Sequence, residues 1–99
     1  MNQTIKYMES IILTSYGNLS YTAKMAAGNG LKGQFNRVRI YWYNTRWYKQ
    51  AKEDGIVGGL NVNGETWITV DDEGLAILRG WEERKVIHIR EVVKNERQG

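Results

Sequence analysis

The sequence predicts an α+β domain that is mostly α-helical, with helices before and after one short β-hairpin. Three observations support this class: apolar residues recur at helical spacing over most of the chain, Asn63-Gly64 separates two alternating runs, and an acidic triplet follows the second run. All residues from 1 to 99 fit one domain with a small core, which four Trp and six Tyr would crowd. Some aromatic rings are therefore expected at a binding surface.

Two short helices are predicted in the first part of the chain. The first covers Ile5 to Tyr16, is capped by Thr4 and ends at Gly17-Asn18. The second covers Leu19 to Ala27 and ends at the glycine-rich turn of residues 28–30, where a positive φ costs little.

A long third helix is predicted from Gln34 to Asp54. Its apolar side consists of four residues at helical spacing, Ile40, Tyr43, Trp47 and Ala51. Basic and aromatic residues alternate around its other side, and Gly55 follows where a helix C-terminus favours glycine. The helix would present cations to a partner.

A two-stranded hairpin is predicted next. Leu60–Val62 and Glu65–Val70 alternate in character, and the Asn63-Gly64 pair between them suits a type I′ turn, which needs a positive φ at both central positions.

The chain is predicted to end in a helix over residues 74–95, with 96–99 as a frayed tail. Three acidic residues precede this helix, where they suit a helix N-terminus: Asp71, Asp72 and Glu73. They also have the chemistry of hard-cation ligands, but capping explains them, and we predict neither a metal site nor a cofactor. Residues 86–89 are dense in β-branched side chains, so a strand remains an alternative there.

The charge distribution is the strongest functional signal. The formal net charge is only +3, but the 43 residues from Ser10 to Lys52 contain no Asp or Glu. They hold seven basic residues, Lys24, Lys32, Arg37, Arg39, Arg46, Lys49 and Lys52. A surface with this charge favours a polyanionic partner, because neutralised phosphates release counterions.

Several function classes are disfavoured. Cysteine is absent, so there is no disulfide framework or thiol nucleophile, and we expect a cytoplasmic protein. The longest apolar run, Ile11–Leu13, is far shorter than a membrane span, and no signal peptide is evident. No nucleophile and base pair stands out, His88 has no second ligand nearby, and neither an enzymatic activity nor a small-molecule ligand is predicted.

Two segments carry a family resemblance. Lys52–Val57 (KEDGIV) closes the predicted long helix, and Trp67–Leu75 (WITVDDEGL) joins the second hairpin strand to the next helix. In this order of elements the chain resembles the winged helix-turn-helix domain, and in particular the small MarR- and PadR-like DNA-binding proteins, including those of archaea and archaeal viruses. The resemblance implies three helices, a two-stranded wing and a C-terminal helix. For a viral protein the compartment would be the host cytoplasm.

The resemblance also implies a function, which is binding of double-stranded DNA as a transcriptional regulator with the long helix in the major groove. Eight residues are then candidates for DNA contact: Lys32, Gln34, Arg37, Arg39, Arg46 and Lys49 of the helix region, and Asn61 and Asn63 of the wing. Arg37 and Arg39 would contact bases or phosphates, since a guanidinium can bind guanine through two hydrogen bonds.

A homodimer is the second partner prediction. Five apolar residues of the C-terminal helix would form its interface, Leu75, Leu78, Val86, Ile89 and Val93. Two alternatives to DNA remain: a non-catalytic protein-interaction or structural accessory module that uses the aromatic face with Trp42 and Tyr48, and a protein that binds RNA or single strands by stacking bases on aromatic rings.

Overall fold

The computed structural model describes the backbone of residues 2–28 and 33–97, and the side chains of residues 10–26 and 35–94. The elements follow in the order α1 (Asn2–Gly28), β1 (Gly33–Trp42), α2 (Thr45–Glu53), β2 (Glu65–Val70), α3 (Asp72–Glu83) and β3 (Ile87–Arg97). The strands form one antiparallel sheet in the order β2-β1-β3. The α+β class is as predicted, but the winged-helix architecture is wrong, because the sheet has three strands and no C-terminal helix is present among the described residues.

Helix α1 is continuous where two helices were predicted. Its buried residues keep helical spacing across Gly17: they are Ile12, Tyr16, Leu19, Ala23 and Ala26. A glycine inside a helix costs only about 1 kcal/mol, which packing along the whole length readily offsets. Gly17-Asn18 therefore does not end the helix, and the predicted turn between the two helices is wrong.

The predicted helix from Gln34 to Asp54 is a strand followed by a short helix. In β1 every second residue is buried, namely Asn36, Val38, Ile40 and Trp42. Asn44 then begins α2 as its N-cap, since its side chain accepts a hydrogen bond of 3.0 Å from the main-chain N of Arg46. The stripe that suggested one helix combined Ile40 of the strand with Trp47 and Ala51 of α2, so it was a coincidence of spacing.

The predicted hairpin is half right. Glu65–Val70 is a strand, but Leu60–Val62 is not, and β2 pairs with β1 instead, with Trp67 opposite Arg39. A turn exists at residues 61–64, where Gly64 N donates to the carbonyl of Asn61 at 3.0 Å and Gly64 has a φ of 77°. The predicted type I′ turn is wrong, because Asn63 does not have the positive φ that this turn type needs. The turn reverses the chain into β2 without forming a wing.

Helix α3 begins at Asp72, two residues before the start predicted for the helix over residues 74–95, and it ends much earlier than predicted. The Asp71 side chain accepts a 2.8 Å hydrogen bond from the N of Gly74 and caps the helix. The helix ends at Glu83, Lys85 takes a φ of 61°, and Val86 donates its N–H to the carbonyl of Trp81 at 3.0 Å. The strand alternative is confirmed for residues 87–89, whereas Val86 lies in the bend before the strand. Strand β3 continues to Arg97, so the predicted frayed tail is wrong for residues 96 and 97, and residues 98 and 99 lie outside the described range.

The core lies between the helices and one face of the sheet. Four aromatic rings meet at its centre, with centroid separations of 5.2 to 6.4 Å: Tyr16, Trp42, Trp47 and Trp81. Two of the three indole N–H groups have partners within the chain, since Trp42 donates to Thr66 Oγ1 at 2.9 Å and Trp81 to Ser15 Oγ at 2.8 Å. Three of the four tryptophans are therefore in the core, and Trp42 does not form the exposed aromatic face that the protein-interaction alternative required.

The predicted dimer stripe is dispersed. Leu75, Leu78 and Val86 are buried in the core of the chain itself, while Ile89 and Val93 lie on β3 and are half-buried. The single helical stripe predicted for the interface is absent, because these five residues do not share one helix and three of them are buried. No helix in the described ranges has the length and apolar character needed to cross a bilayer.

Candidate nucleic-acid interface

One face of the sheet is not covered by any described element. The alternation that buries one set of residues places the other set on this face. We call it the open face, and its residues are Phe35, Arg37, Arg39 and Tyr41 of β1, Glu65, Trp67 and Thr69 of β2, and His88, Arg90, Glu91 and Val93 of β3. It combines arginines, aromatic rings and two carboxylates.

Glu65 organises one end of the open face. Its side chain is only 5% exposed, and it accepts a 3.0 Å hydrogen bond from Arg39 Nη1 and a 3.1 Å hydrogen bond from Asn61 Nδ2. Arg90 Nε lies 3.3 Å from its second oxygen, and Arg39 also contacts Glu91 Oε1 at 3.2 Å. Two arginines are thus neutralised at this end.

These contacts change the ionisation of Glu65. The hydrogen bond from Asn61 lowers the pKa of its carboxyl group, and Arg39 and Arg90 act in the same direction against the opposing effect of burial. The hydrogen bond to Glu65 likewise raises the pKa of Arg39. The carboxylate stays charged and keeps both arginines oriented.

A bulge in β3 brings Arg90 to this cluster. Arg39 lies opposite Glu91 and Ile40 lies opposite Ile89, so Arg90 is the extra residue between them. Its guanidinium lies 5.5 Å from the ring centroid of Tyr41. Tyr41 is half-buried, which leaves part of its ring accessible.

Arg37 and Trp67 form the other end of the open face. The Arg37 guanidinium lies 4.7 Å from the centroid of the Trp67 ring, and that of Arg39 lies 5.8 Å from it. Arg37 is exposed and has no carboxylate partner within the described part of the chain. Its N–H groups are positioned by stacking and remain available to an anion.

A second basic surface lies on α2. Trp47 and Ala51 face the core, whereas six polar residues are exposed, of which three are basic and one is acidic: Thr45, Arg46, Lys49, Gln50, Lys52 and Glu53. Arg46 lies over the Trp47 ring at 5.5 Å. The cations predicted for one helix are therefore divided between this helix and the sheet.

The remaining predicted contact residues have other positions. Lys32 lies outside the described residues, and only the backbone of Gln34 is described, in β1. Asn61 shapes the turn, because its Oδ1 accepts from the main-chain N of Asn63 and of Glu65, each at 2.9 Å. Asn63 is exposed at that turn.

Sequence reasoning missed Trp67, Glu65 and Arg90 as site residues. A signal existed, since Arg37, Arg39 and Tyr41 alternate with apolar residues at period two, and Glu65 and Trp67 do so in β2. Two residues of the acidic triplet have structural contacts: Asp71 caps α3, and Asp72 Oδ1 accepts a 3.0 Å hydrogen bond from Asn36 Nδ2. Among the described residues no three potential metal ligands cluster.

In comparisons with protein-family models, curated proteins and solved structures, nothing matches this chain. The resemblance to winged-helix regulators therefore has neither support nor contradiction from relatives, and the fold it implied differs from the one described above. Any function has to be argued from the surfaces themselves.

Proposed function

We propose that this protein binds single-stranded nucleic acid on the open face of its sheet. The observation that carries the proposal is the pairing of accessible aromatic rings with guanidinium groups on an uncovered, slightly basic surface: Arg37 over Trp67 and Arg90 over Tyr41. Aromatic rings stack on unpaired bases, and adjacent cations bind the backbone phosphates, in proteins that recognise single strands.

The shape of the surface favours a single strand over a duplex. The major groove is about 12 Å wide and admits a helix or a two-stranded ribbon. Three strands about 4.8 Å apart, with their side chains and the helices behind them, are too broad to enter this groove. A single strand has no groove to enter, and it can lie flat across the sheet with its bases turned toward the rings.

The test is fluorescence anisotropy with a labelled single-stranded RNA, the same sequence as single-stranded DNA, and a duplex, at several salt concentrations. We expect both single strands to bind more tightly than the duplex, with an affinity that decreases as salt increases. Tyr41→Ala should weaken binding severalfold. Tyr21→Ala is the matched control. Tyr21 lies on α1 and is 67% exposed, so this substitution also removes a surface tyrosine, but one that is not on the open face. Equal affinity of the two variants would refute the open face as the binding surface.

Double-stranded DNA binding, as by a transcriptional regulator, is the second candidate function. It is favoured by α2, where Lys49 and Lys52 are exposed and have no ion pair with a described residue. The contact would come from this helix of nine residues, and not from a helix over residues 34–54. A Lys49→Ala, Lys52→Ala double variant that loses duplex binding and keeps single-strand binding would support it.

Self-association is a separate proposal, since no described contact identifies an interface. Light scattering at micromolar concentration, with and without oligonucleotide, measures the mass directly. A monomeric mass in both samples would refute a homodimer.

A further inference from the structure

A cavity lies at the end of the open face, beside the outer strand β2. Its volume is about 460 Å³, within the range of small-ligand sites. Four segments line it: residues 23–24 of α1, residues 55–58 after α2, Arg37 of β1, and Trp67 with Thr69 of β2. Lys24, Gly55 and Gly58 are exposed, so the cavity is accessible from solvent.

The cavity has two cations and no anion in its lining. Lys24 and Arg37 are both exposed and have no ion pair with a described residue. The carboxylate that interacts electrostatically with Lys24 is Asp54, which does not line the cavity. Asp54 is engaged elsewhere, since it accepts hydrogen bonds from the Tyr16 hydroxyl and from Gln50 Nε2. The cavity lining itself therefore carries two positive charges and no negative one, and Asp54 compensates Lys24 only in part, from outside the cavity.

We propose that this cavity is a subsite for a phosphate monoester, supplied either by the terminal phosphate of a bound single strand or by a free nucleoside monophosphate. This proposal rests on the proposed function, because the cavity would bind the terminal phosphate of a strand that lies on the open face. A monoester carries a charge of about −1.5 to −2 at neutral pH, which matches two cations, whereas a backbone diester carries only one negative charge.

Each lining group has a distinct role. The Arg37 guanidinium is stacked on Trp67 and presents a planar set of donors that suits two phosphate oxygens. Lys24 supplies a point charge from α1. Thr69 lines the cavity and its hydroxyl can donate to a phosphate oxygen, and the Trp67 ring would border the adjoining base.

The experiment compares oligonucleotides that differ only in their ends. Fluorescently labelled eight-nucleotide strands carry a 5′-phosphate, a 3′-phosphate or hydroxyl groups at both ends, and their affinities are measured by anisotropy. We expect one phosphorylated strand to bind about tenfold more tightly than the strand with hydroxyl ends, as one or two charge-assisted hydrogen bonds would give. Lys24→Ala should abolish this difference and leave the affinity for the hydroxyl strand within about twofold.

Lys52→Ala is the matched control, since it removes an exposed lysine outside the cavity and should preserve the tenfold preference. Arg37→Lys tests whether the planar guanidinium is needed. It retains the positive charge but not the paired donors, so it should retain only part of the preference for the terminal phosphate. Amide chemical shifts show whether the phosphate can also come from a free nucleotide. A nucleoside monophosphate and inorganic phosphate are each titrated into the ¹⁵N-labelled protein.

The outcomes separate the subsite from the proposed function. If strands bind but terminal phosphates give no preference and the monophosphate shifts no resonance of Gly58, Trp67 or Thr69, the subsite is refuted and the open face stands. If no strand binds but the monophosphate shifts these resonances in the wild type and not in Lys24→Ala, the subsite holds free nucleotides and single-strand binding is refuted. Equal preference in Lys24→Ala and wild type would overturn the assignment.

Discussion

The two ends of the open face differ in how their arginines are compensated. At one end, Glu65 and Glu91 neutralise Arg39, and Glu65 also holds Arg90. At the other end, Arg37 is stacked on Trp67 and faces a cavity without any acidic lining. The same residue type therefore serves two purposes: the paired arginines order the sheet surface, while the unpaired one can bind an anion.

Trp67 connects the two ends, since both Arg37 and Arg39 lie over its ring, and its removal should have the largest effect. We expect Trp67→Ala to weaken single-strand binding tenfold or more, because stacking on one base contributes about 1–3 kcal/mol. Trp67→Phe should retain most of the affinity because it keeps a ring. Anisotropy titrations of both variants provide the measurement, and equal losses would show that stacking is not involved.

The arginines give the direct contrast between the two ends. Arg37→Ala should reduce affinity about tenfold, whereas Arg39→Ala should reduce it less than about threefold, because Arg39 already donates to two carboxylates. The salt dependence provides a second measure, since each lost phosphate contact lowers the log–log slope by roughly 0.7 for a single strand. An Arg39→Ala loss as large as that of Arg37→Ala would remove the distinction between the ends.

Removing the charge of Glu65 should make Arg39 and Arg90 more available to an anion, as Arg37 is at the other end of the open face. Glu65→Gln keeps the side-chain shape and frees Arg39 and Arg90 from a full negative charge. We expect a gain in single-strand affinity of about threefold, on the scale of one exposed charge interaction, together with a lower midpoint of thermal unfolding. Glu53→Gln on α2 is a control for the change in net charge, since Glu53 lies away from the open face. A loss of affinity would mean that oriented arginines matter more than free ones.

Acid should produce the smallest change, again through Glu65. The pKa of this carboxyl group is lowered from 4.5 in the folded protein, so its contribution to stability is present above about pH 4.5 and is lost as the pH falls through the lowered value. Thermal unfolding between pH 6 and pH 3 should therefore show a steeper loss for the wild type than for Glu65→Gln. Parallel curves would show that the Glu65 contacts do not stabilise the fold.

Local chemistry was sufficient for some elements. Asp71 caps a helix because a short carboxylate side chain can accept from the N–H groups of the first turn, wherever that helix lies in the molecule. The turn at Gly64 likewise depends on a positive φ, which the sequence itself indicates. The strand Glu65–Val70 was predictable from its alternation.

Other elements depended on contacts between distant residues. Residues 33–42 contain both a helical and an alternating pattern, and pairing with β2 on one side and β3 on the other selects the strand. The end of α3 has no glycine, and Lys85 accepts a positive φ because Val86 is held by Tyr43 N at 2.9 Å and by Trp81. No local signal marks that position.

The candidate site was predictable in its charge but not in its arrangement. Arg37 and Arg39 were identified from the acid-free segment, yet their partners Glu65, Glu91 and Trp67 are 26 or more residues away in the chain. Sequence alone therefore determined the Asp71 cap, the positive φ of Gly64 and the basic composition, because these depend on neighbouring residues and on net charge. The tertiary structure decided which arginines are neutralised and which face the cavity, because strand pairing sets the distances between side chains that are remote in sequence.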